Sequence, residues 1–525
     1  MNSPWHSLRA ALVLTCCAMT LSPACAAPAG GLANIAKVAR EYRAAHEHEI
    51  VNEFVELLRI PNVSNDADNI QRNAAAIAEM MRRRGLSPKL LQVPGAPPAV
   101  YGEWKVPNAK RTIVLYAHYD GQPVHPAGWA TPPWTPTLRN GKVEEGGATV
   151  SLASLGKTID PDLRIYARGA ADDKNSVMAI LSAIDALRAA RRQPTANIKL
   201  FFEGEEEEGA SVHMREILEQ NRALLASDLW VACDGPMHSS GKVQVVYGAR
   251  GDMNVDLTVY GPTRGLHSGH YGNWAPNPAL RLARLLASMK DANGKVTIAG
   301  WYDDVLPLGK AERRAIAEAA VYDEPLRKEL GIPVPESPYP LAEAVTRPSL
   351  NINGMASANV GEEAANVIPE RATAVLDVRL VMGNEQARQF EKLRAHVQSQ
   401  GYYVIDREPT VEERRSHPLI ATLKLRPGGA EATRIPMDDP LAHAIAEAVR
   451  VSAASGIIEL PTSGGTLPMD RVRDVLGTST ITVSTANYDN NQHAANENLR
   501  LGSLWQAIEV YAAVLAHGVA EGHAR

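Results

Sequence analysis

Cysteine is scarce in this 525-residue chain: there are four, and Cys16, Cys17 and Cys25 lie within residues 1–27. Cys233 stands alone in the remainder, which excludes an internal disulfide framework there and leaves burial to supply stability. Long apolar runs are missing beyond the N-terminus, since no later segment approaches the roughly 20 residues that span a bilayer. Neither sign of charge is in surplus: Lys+Arg 54 stand against Asp+Glu 59. Nucleic-acid binders show a clear basic excess and disordered acidic chains the reverse, so both classes are set aside. What is present is ordinary globular material, 45% hydrophobic and 22% charged, enough for several domains of roughly 100–200 residues.

The N-terminus differs from the rest. Arg9 precedes the apolar stretch Ala10–Leu21, then Ser22-Pro23 and Ala24-Cys25-Ala26-Ala27. A basic start, a short apolar core and a small-residue ending predict a secretory signal peptide over residues 1–26, cleaved near Ala26 or Ala27. Pro23 comes too early for an anchor. The expected mature protein is periplasmic or secreted, with no membrane attachment.

Spacing predicts helices over Asn69–Arg84, Asp173–Arg192 and Val212–Leu225, with apolar strands over Arg111–Ala117, Ile198–Phe202 and Leu229–Cys233. This alternation implies an α/β fold, a mostly parallel sheet flanked by helices. From Gly251 the order becomes strand (Asp252–Tyr260), helix (Pro278–Met289), strands (Ser349–Asn353, Ala372–Leu380), helix (Glu385–Gln400) and strand (Tyr402–Asp406). That is the βαββαβ order of a ferredoxin-like unit, carrying an insertion near residues 300–347. After Met437 the alternation resumes through Ala442–Val451, Thr480–Ser484 and Leu501–His517. A smaller α+β domain over 251–436, inserted between two parts (33–250 and 437–525) of a larger one, accounts for this order.

Chemistry-bearing residues gather at predicted strand ends. His118 and Asp120 stand two apart and so share a side, at the edge where ligands collect in open α/β sheets. A carboxylate beside an imidazole fixes its tautomer and leaves the other nitrogen for a metal, although a solvated loop histidine fits the same triplet. Asp172 and Asp173 precede a helix, where helix capping and cation bridging both suit the macrodipole. Glu203 and Glu205–Glu208 follow a buried strand. Like charges about 4 Å apart cost about 4 kcal/mol at an intermediate dielectric, so acids crowded against a core favour a cationic occupant or a carboxyl tuned for proton transfer. Asp234 and His493 add an oxygen and a nitrogen, though each alone is an ordinary turn residue. Together these groups suit a pair of divalent ions, which activates a water and polarises a carbonyl. Gly464, Gly465 and Thr466 follow Ser463 between a strand and a short helix, where backbone N–H groups receive an anion; without the Lys of a phosphate loop, a peptide carboxylate is the expected one.

The set His118-x-Asp120, Gly169–Lys174, Glu203–Glu207, Asp234 and His493 resembles the dizinc peptidase family that includes carnosinase, nonspecific dipeptidase, glutamate carboxypeptidase and aminoacylase. Gly265–Gly269 with Tyr271-Gly272 is similar to the family's lid-domain histidine motif, and Trp301–Val305 with the long insertion to its dipeptidase branch. The resemblance implies two divalent ions per subunit, zinc with manganese or cobalt as alternatives. His118 and Asp234 would hold one ion, Glu207 and His493 the other, and Asp172 would bridge. Glu206 would be the general base, Asp120 would orient His118, and His267 would stabilise the oxyanion. In the family that histidine reaches the partner subunit's site, so a homodimer is implied. Arg379 and Asn366 match substrate contacts.

Asn175 departs from the family's usual Gly, Gly141–Asp162 is an extra segment, and Thr466 stands where serine is common. The expected activity is hydrolysis of dipeptides or removal of a C-terminal residue. An N-acyl amino acid deacylase and a peptide- or metal-binding protein on a retired scaffold are the alternatives. Glu206 speaks against the last, because a binder needs no proton shuttle.

Overall fold

A computed structural model describes residues 30–207 and 211–517; the expected signal segment lies outside them. An eight-stranded mixed, mostly parallel sheet runs in the spatial order 89–91, 99–104, 197–203, 112–118, 229–232, 479–484, 243–246 and 457–460. Its middle is parallel: Thr112–His118 lies between Asn197–Glu203 and Leu229–Ala232, and Leu229–Ala232 pairs in turn with Ser479–Ser484. These strands are apolar on both sides because helices cover both faces.

One face carries helices Gly30–Leu58, Ala67–Arg83, Lys174–Ala189, Pro440–Ser452 and Leu501–His517. Lys174–Ala189 is buried nearly all round, being packed against Gly30–Leu58 and Leu501–His517 as well as the sheet. The other face carries Met214–Gln220 and Met469–Leu476. The helix predicted over Val212–Leu225 is two, Met214–Gln220 and Arg222–Leu225, divided at Asn221. The long first helix was not anticipated from sequence; it bends at His46, where φ is −125° and ψ 18°.

A second sheet has the order 349–356, 371–380, 251–260, 420–425 and 403–405. The expected ferredoxin-like order is corrected here by one strand. Ile420–Leu425 pairs with Gly251–Tyr260 and separates it from Tyr403–Ile405. Ile420 and Leu423 point inward, and Pro418 and Pro427 bound the run, so a strand signal was present.

The two sheets are joined by a ribbon in which Gly248–Ala249 pairs with Thr433–Arg434. Gly248 is required there, since a Cβ would meet the Thr433 carbonyl at 2.2 Å. In the insertion, helix Lys310–Ala319 returns to the first sheet and seats Ile316 and Ala319 on Ile458 of its edge strand. Among the described residues no helix is long and apolar enough to cross a membrane.

The first helix is tied to the core by Phe54, which is fully buried. Phe54→Ala is expected to cost about 3–5 kcal/mol through lost transfer energy and a cavity, measured as a fall in the denaturant midpoint.

Candidate metal centre

Parallel pairing brings four strand ends to one edge. Thr112–His118 delivers His118 and Asp120, Asn197–Glu203 delivers Glu206 and Glu207, Leu229–Ala232 delivers Asp234, and Ser479–Ser484 leads to the loop bearing His493. Asp172 comes from the turn before Lys174–Ala189; its peptide to Asp173 is cis.

Asp172 lies between the two histidines. Its Oδ1 is 3.0 Å from His118 Nε2 and its Oδ2 is 3.1 Å from His493 Nε2. Asp234 Oδ2 is 3.8 Å from the same His118 nitrogen, and Glu207 Oε2 is 3.2 Å from the same His493 nitrogen. Two clusters thus share one carboxylate. Glu206 opens onto the same cavity as Asp172, Asp234 and His493.

Asp120 does more than accompany His118, whose Nδ1 is 3.4 Å away. Its two oxygens accept the backbone N–H groups of Glu206 and Glu207, at 3.0 and 2.9 Å. It therefore fixes the acidic loop as well. The acid run itself divides: Glu203 accepts the Tyr116 hydroxyl at 2.7 Å, and Glu205 pairs with His213 at 2.9 Å. Asp173 precedes the helix without capping it through its side chain. It accepts the His118 N–H at 3.3 Å.

Several supports escaped sequence reasoning. Gln122 donates to Glu207 Oε2 at 2.8 Å. Glu497, fully buried, accepts N–H groups from Gly169, Ala171 and Asp172 and pairs with Arg168 at 2.7 Å. An acid four residues after His493 was visible, but its partner lies 329 positions away. The extra segment has a place too: Lys142 is 3.1 Å from Asp489, and Glu144 accepts from Asn491 at 3.1 Å, so it braces the His493 loop. Asn175 donates to the Ala171 carbonyl at 2.7 Å, closing the turn that carries Asp172.

Arg379, Gly464, Gly465 and Thr466 line the same cavity of about 580 Å3. Arg379 belongs to the second sheet and donates to Thr466 Oγ1 at 2.9 Å, with Asp377 3.1 Å from its Nε. His267 and Asn366 are elsewhere: the Ser268 N–H binds the Asn366 carbonyl at 3.0 Å, both residues are exposed, and neither lines the cavity.

The side chains fit divalent ions. His118, Asp172 and Glu207 offer ligand atoms within 4.8 Å of one another, as do His118, Asp173 and Asp234. Asp234 Oδ1 is buried with no hydrogen-bond partner among the described residues. Burial raises Glu207 to about 7, reinforced by Asp172, and raises Asp234 to about 6, again with Asp172 adding. Burial, with Glu207 and Asp234 nearby, pushes Glu206 well above the carboxylate range. Burial alone would raise Asp172 too, but hydrogen bonds to both histidines hold it far below. Cations at this edge would take the place of those protons.

Residues 114–517 match the model of peptidase family M20/M25/M40. The human Beta-Ala-His dipeptidase is 26% identical over 470 residues, covering 87% of this chain and 84% of that protein. The Cys-Gly metallodipeptidase of Saccharomyces cerevisiae is 23% identical over 493 residues, covering 89% and 95%. Among solved structures, an M20 family metallo-carboxypeptidase from Sulfolobus solfataricus superposes with a TM-score of 0.72 at 30% identity, covering 90% of this chain and 99% of that one.

The raised carboxyls set a sign for stability. In chelator-treated protein, folded Asp234 and Glu207 keep protons to about pH 6 and 7, whereas their ordinary values are 3.8 and 4.5. The folded state binds more protons than the unfolded one between these limits, so stability is expected to fall as pH rises from about 4 to 7. Denaturant midpoints across that range, with chelator and with added divalent ion, check this; the decline should disappear when ions displace the protons.

Proposed function

Because this chain belongs to peptidase family M20/M25/M40, we propose that it hydrolyses dipeptides or removes a C-terminal residue with two divalent ions. The observation that carries this reading is Asp172 set between His118 with Asp234 and His493 with Glu207, beside Glu206 on a shared cavity. His118, Asp234, Asp172, Glu207 and His493 would hold the ions, with zinc as the first expectation and manganese or cobalt behind it. When bound, such ions supply Lewis acidity toward a water and a carbonyl.

The chain's own groups do the rest. Glu206 takes a proton from the attacking water and returns it to the leaving amine. Asp120 keeps Glu206 in place through its backbone N–H. Arg379, Thr466 and the N–H groups of Gly464 and Gly465 receive the substrate's carboxylate. The similar Beta-Ala-His dipeptidase and Cys-Gly metallodipeptidase both act on dipeptides, which supports this reading. The N-terminal signal-type segment and the single cysteine beyond it support a periplasmic or secreted location.

A homodimer completes the reading. Ser349–Ala356 is an edge strand with Ile352 and Met355 exposed, a surface suited to a second copy. His267 and Asn366, exposed and off their own cavity, would then serve the neighbour's.

Glu206→Gln is expected to lower kcat roughly 10²–10⁴-fold on a dipeptide panel while metal content, measured by elemental analysis, stays near wild type. Equal loss of both would remove Glu206 from the proton role, and metal-replete wild type inert on every dipeptide would sink the peptidase reading.

Mixing Glu206→Gln with His267→Ala subunits tests the dimer. A heterodimer would own one complete site, so activity should emerge from two inactive preparations. Persistent inactivity after verified subunit exchange would mean that His267 does not act across subunits.

A further inference from the structure

Beyond the metal ligands and the carboxylate loop, the cavity has a wall the mechanism leaves unused. Met237 contributes to it just after Asp234, and Leu460 from the edge strand of the first sheet; Leu326, Leu341 and Val345 come from the insertion. The placement is built. The insertion is anchored through Ile316 and Ala319 on Ile458, and the Asp323 carboxylate accepts the Leu341 N–H at 2.8 Å, holding helices Asp323–Glu329 and Leu341–Ala344 together. Val345 packs over the carboxylate loop: a Cβ on Gly464 would lie 3.7 Å from its Cγ1. Apolar carbon here is turned to water, Leu341 being 51% exposed.

Asp323 accepts the Leu341 N–H, Arg379 is held by Asp377 and Thr466, and burial keeps His238 below its ordinary value. Exposed apolar side chains continuous with a reaction centre are the usual sign of a ligand pocket.

We infer that this wall is a pocket for an apolar side chain of the substrate, so that the chain prefers dipeptides bearing a leucine-sized or aromatic residue over small or charged ones. The inference rests on the peptidase reading and names its substrate class. The insertion, rather than the metal edge, is then the specificity-determining part.

The test compares kcat/KM of the metal-replete protein on Ala-Ala, Leu-Ala, Ala-Leu, Lys-Ala and Ala-Lys. Filling an apolar pocket changes this ratio roughly 10–200-fold, so one leucine dipeptide is expected to exceed Ala-Ala at least roughly tenfold, with the lysine dipeptides below it; the mirrored pairs show which residue enters. Leu326→Asp and Leu341→Asp, at half-buried and exposed positions, should collapse the leucine-to-alanine ratio and raise the matching lysine dipeptide relative to Ala-Ala. A wild-type ratio near one, or variants that lower all substrates in proportion, would overturn the pocket while leaving the peptidase reading intact. Calorimetric binding of the same dipeptides to Glu206→Gln reads the pocket apart from turnover; equal affinity for Ala-Ala and both leucine dipeptides would overturn it.

Discussion

Carboxylates from Asp120, Asp172, Asp173, Glu206, Glu207 and Asp234 meet at one sheet edge, and their mutual repulsion is the constraint around which this site is built. A close pair at an intermediate dielectric costs about 4 kcal/mol. The fold offsets part of the problem locally, because Asp120 turns to two backbone N–H groups. Asp172 is held by two histidines. Burial, with like charges nearby, still raises Glu206, Glu207 and Asp234, even though Gln122 and His493 contact Glu207. Protons or cations must supply the missing charge, and cations leave Glu206 free to exchange a proton.

Such crowding survives only if backbone rigidity resists it. Adjacent parallel strands fix His118 through ladder hydrogen bonds and set the starts of the short loops that carry Glu206 and Asp234. Asp172 and His493 do not belong to strands, and each has its own brace. Glu497 gathers three N–H groups from the Asp172 turn and the Arg168 guanidinium. The segment around Lys142 and Glu144 holds the His493 loop, in which His493 itself adopts a left-handed φ of 60°. A buried pair such as Arg168–Glu497 is costly to break because removing one partner leaves the other charge unmatched. The least regular ligands are thus the most heavily supported.

The strand ends were legible because a buried parallel strand is a continuous apolar run, and the acids after it stand out against that background. His118, Asp120, Asp234 and the acid run holding Glu206 and Glu207 were read from such positions, Asp172 from the start of a helix and His493 from a loop, with individual roles taken from the family resemblance; the structure brings these side chains together. The first helix was not read; its buried apolar residues fall in two groups, Ile35 to Ala39 before the bend at His46 and Ile50 to Leu58 after it, so no single apolar stripe runs its length. Ile420–Leu425 was passed over because the preceding elements already completed a familiar motif. The roles of Gln122 and Glu497 were missed for another reason: each acts on a residue distant in sequence, so local pattern carries no trace of the partnership. His267 and Asn366 were expected at a site, yet within one chain they lie outside the cavity.

Reaction and recognition are placed on different parts of this molecule, and the ribbon at Gly248–Ala249 is where they are joined. The metal edge is set by the first sheet with the helix start and loops braced against it. Arg379, by contrast, comes from the second sheet and meets Thr466 of the first. Arg250, buried at the crossing, donates through its backbone to Gly465 and through its guanidinium to the Arg347 carbonyl and Ser349. It thereby links the carboxylate loop, the end of the insertion and the first strand to follow it. A substrate carboxylate held at Arg379 and Thr466 would bind across both sheets. Binding energy gained there, remote from the scissile bond, is available to orient the peptide against ligands whose own positions need no adjustment. That division lets the insertion vary the accepted side chain without disturbing the metal-binding edge.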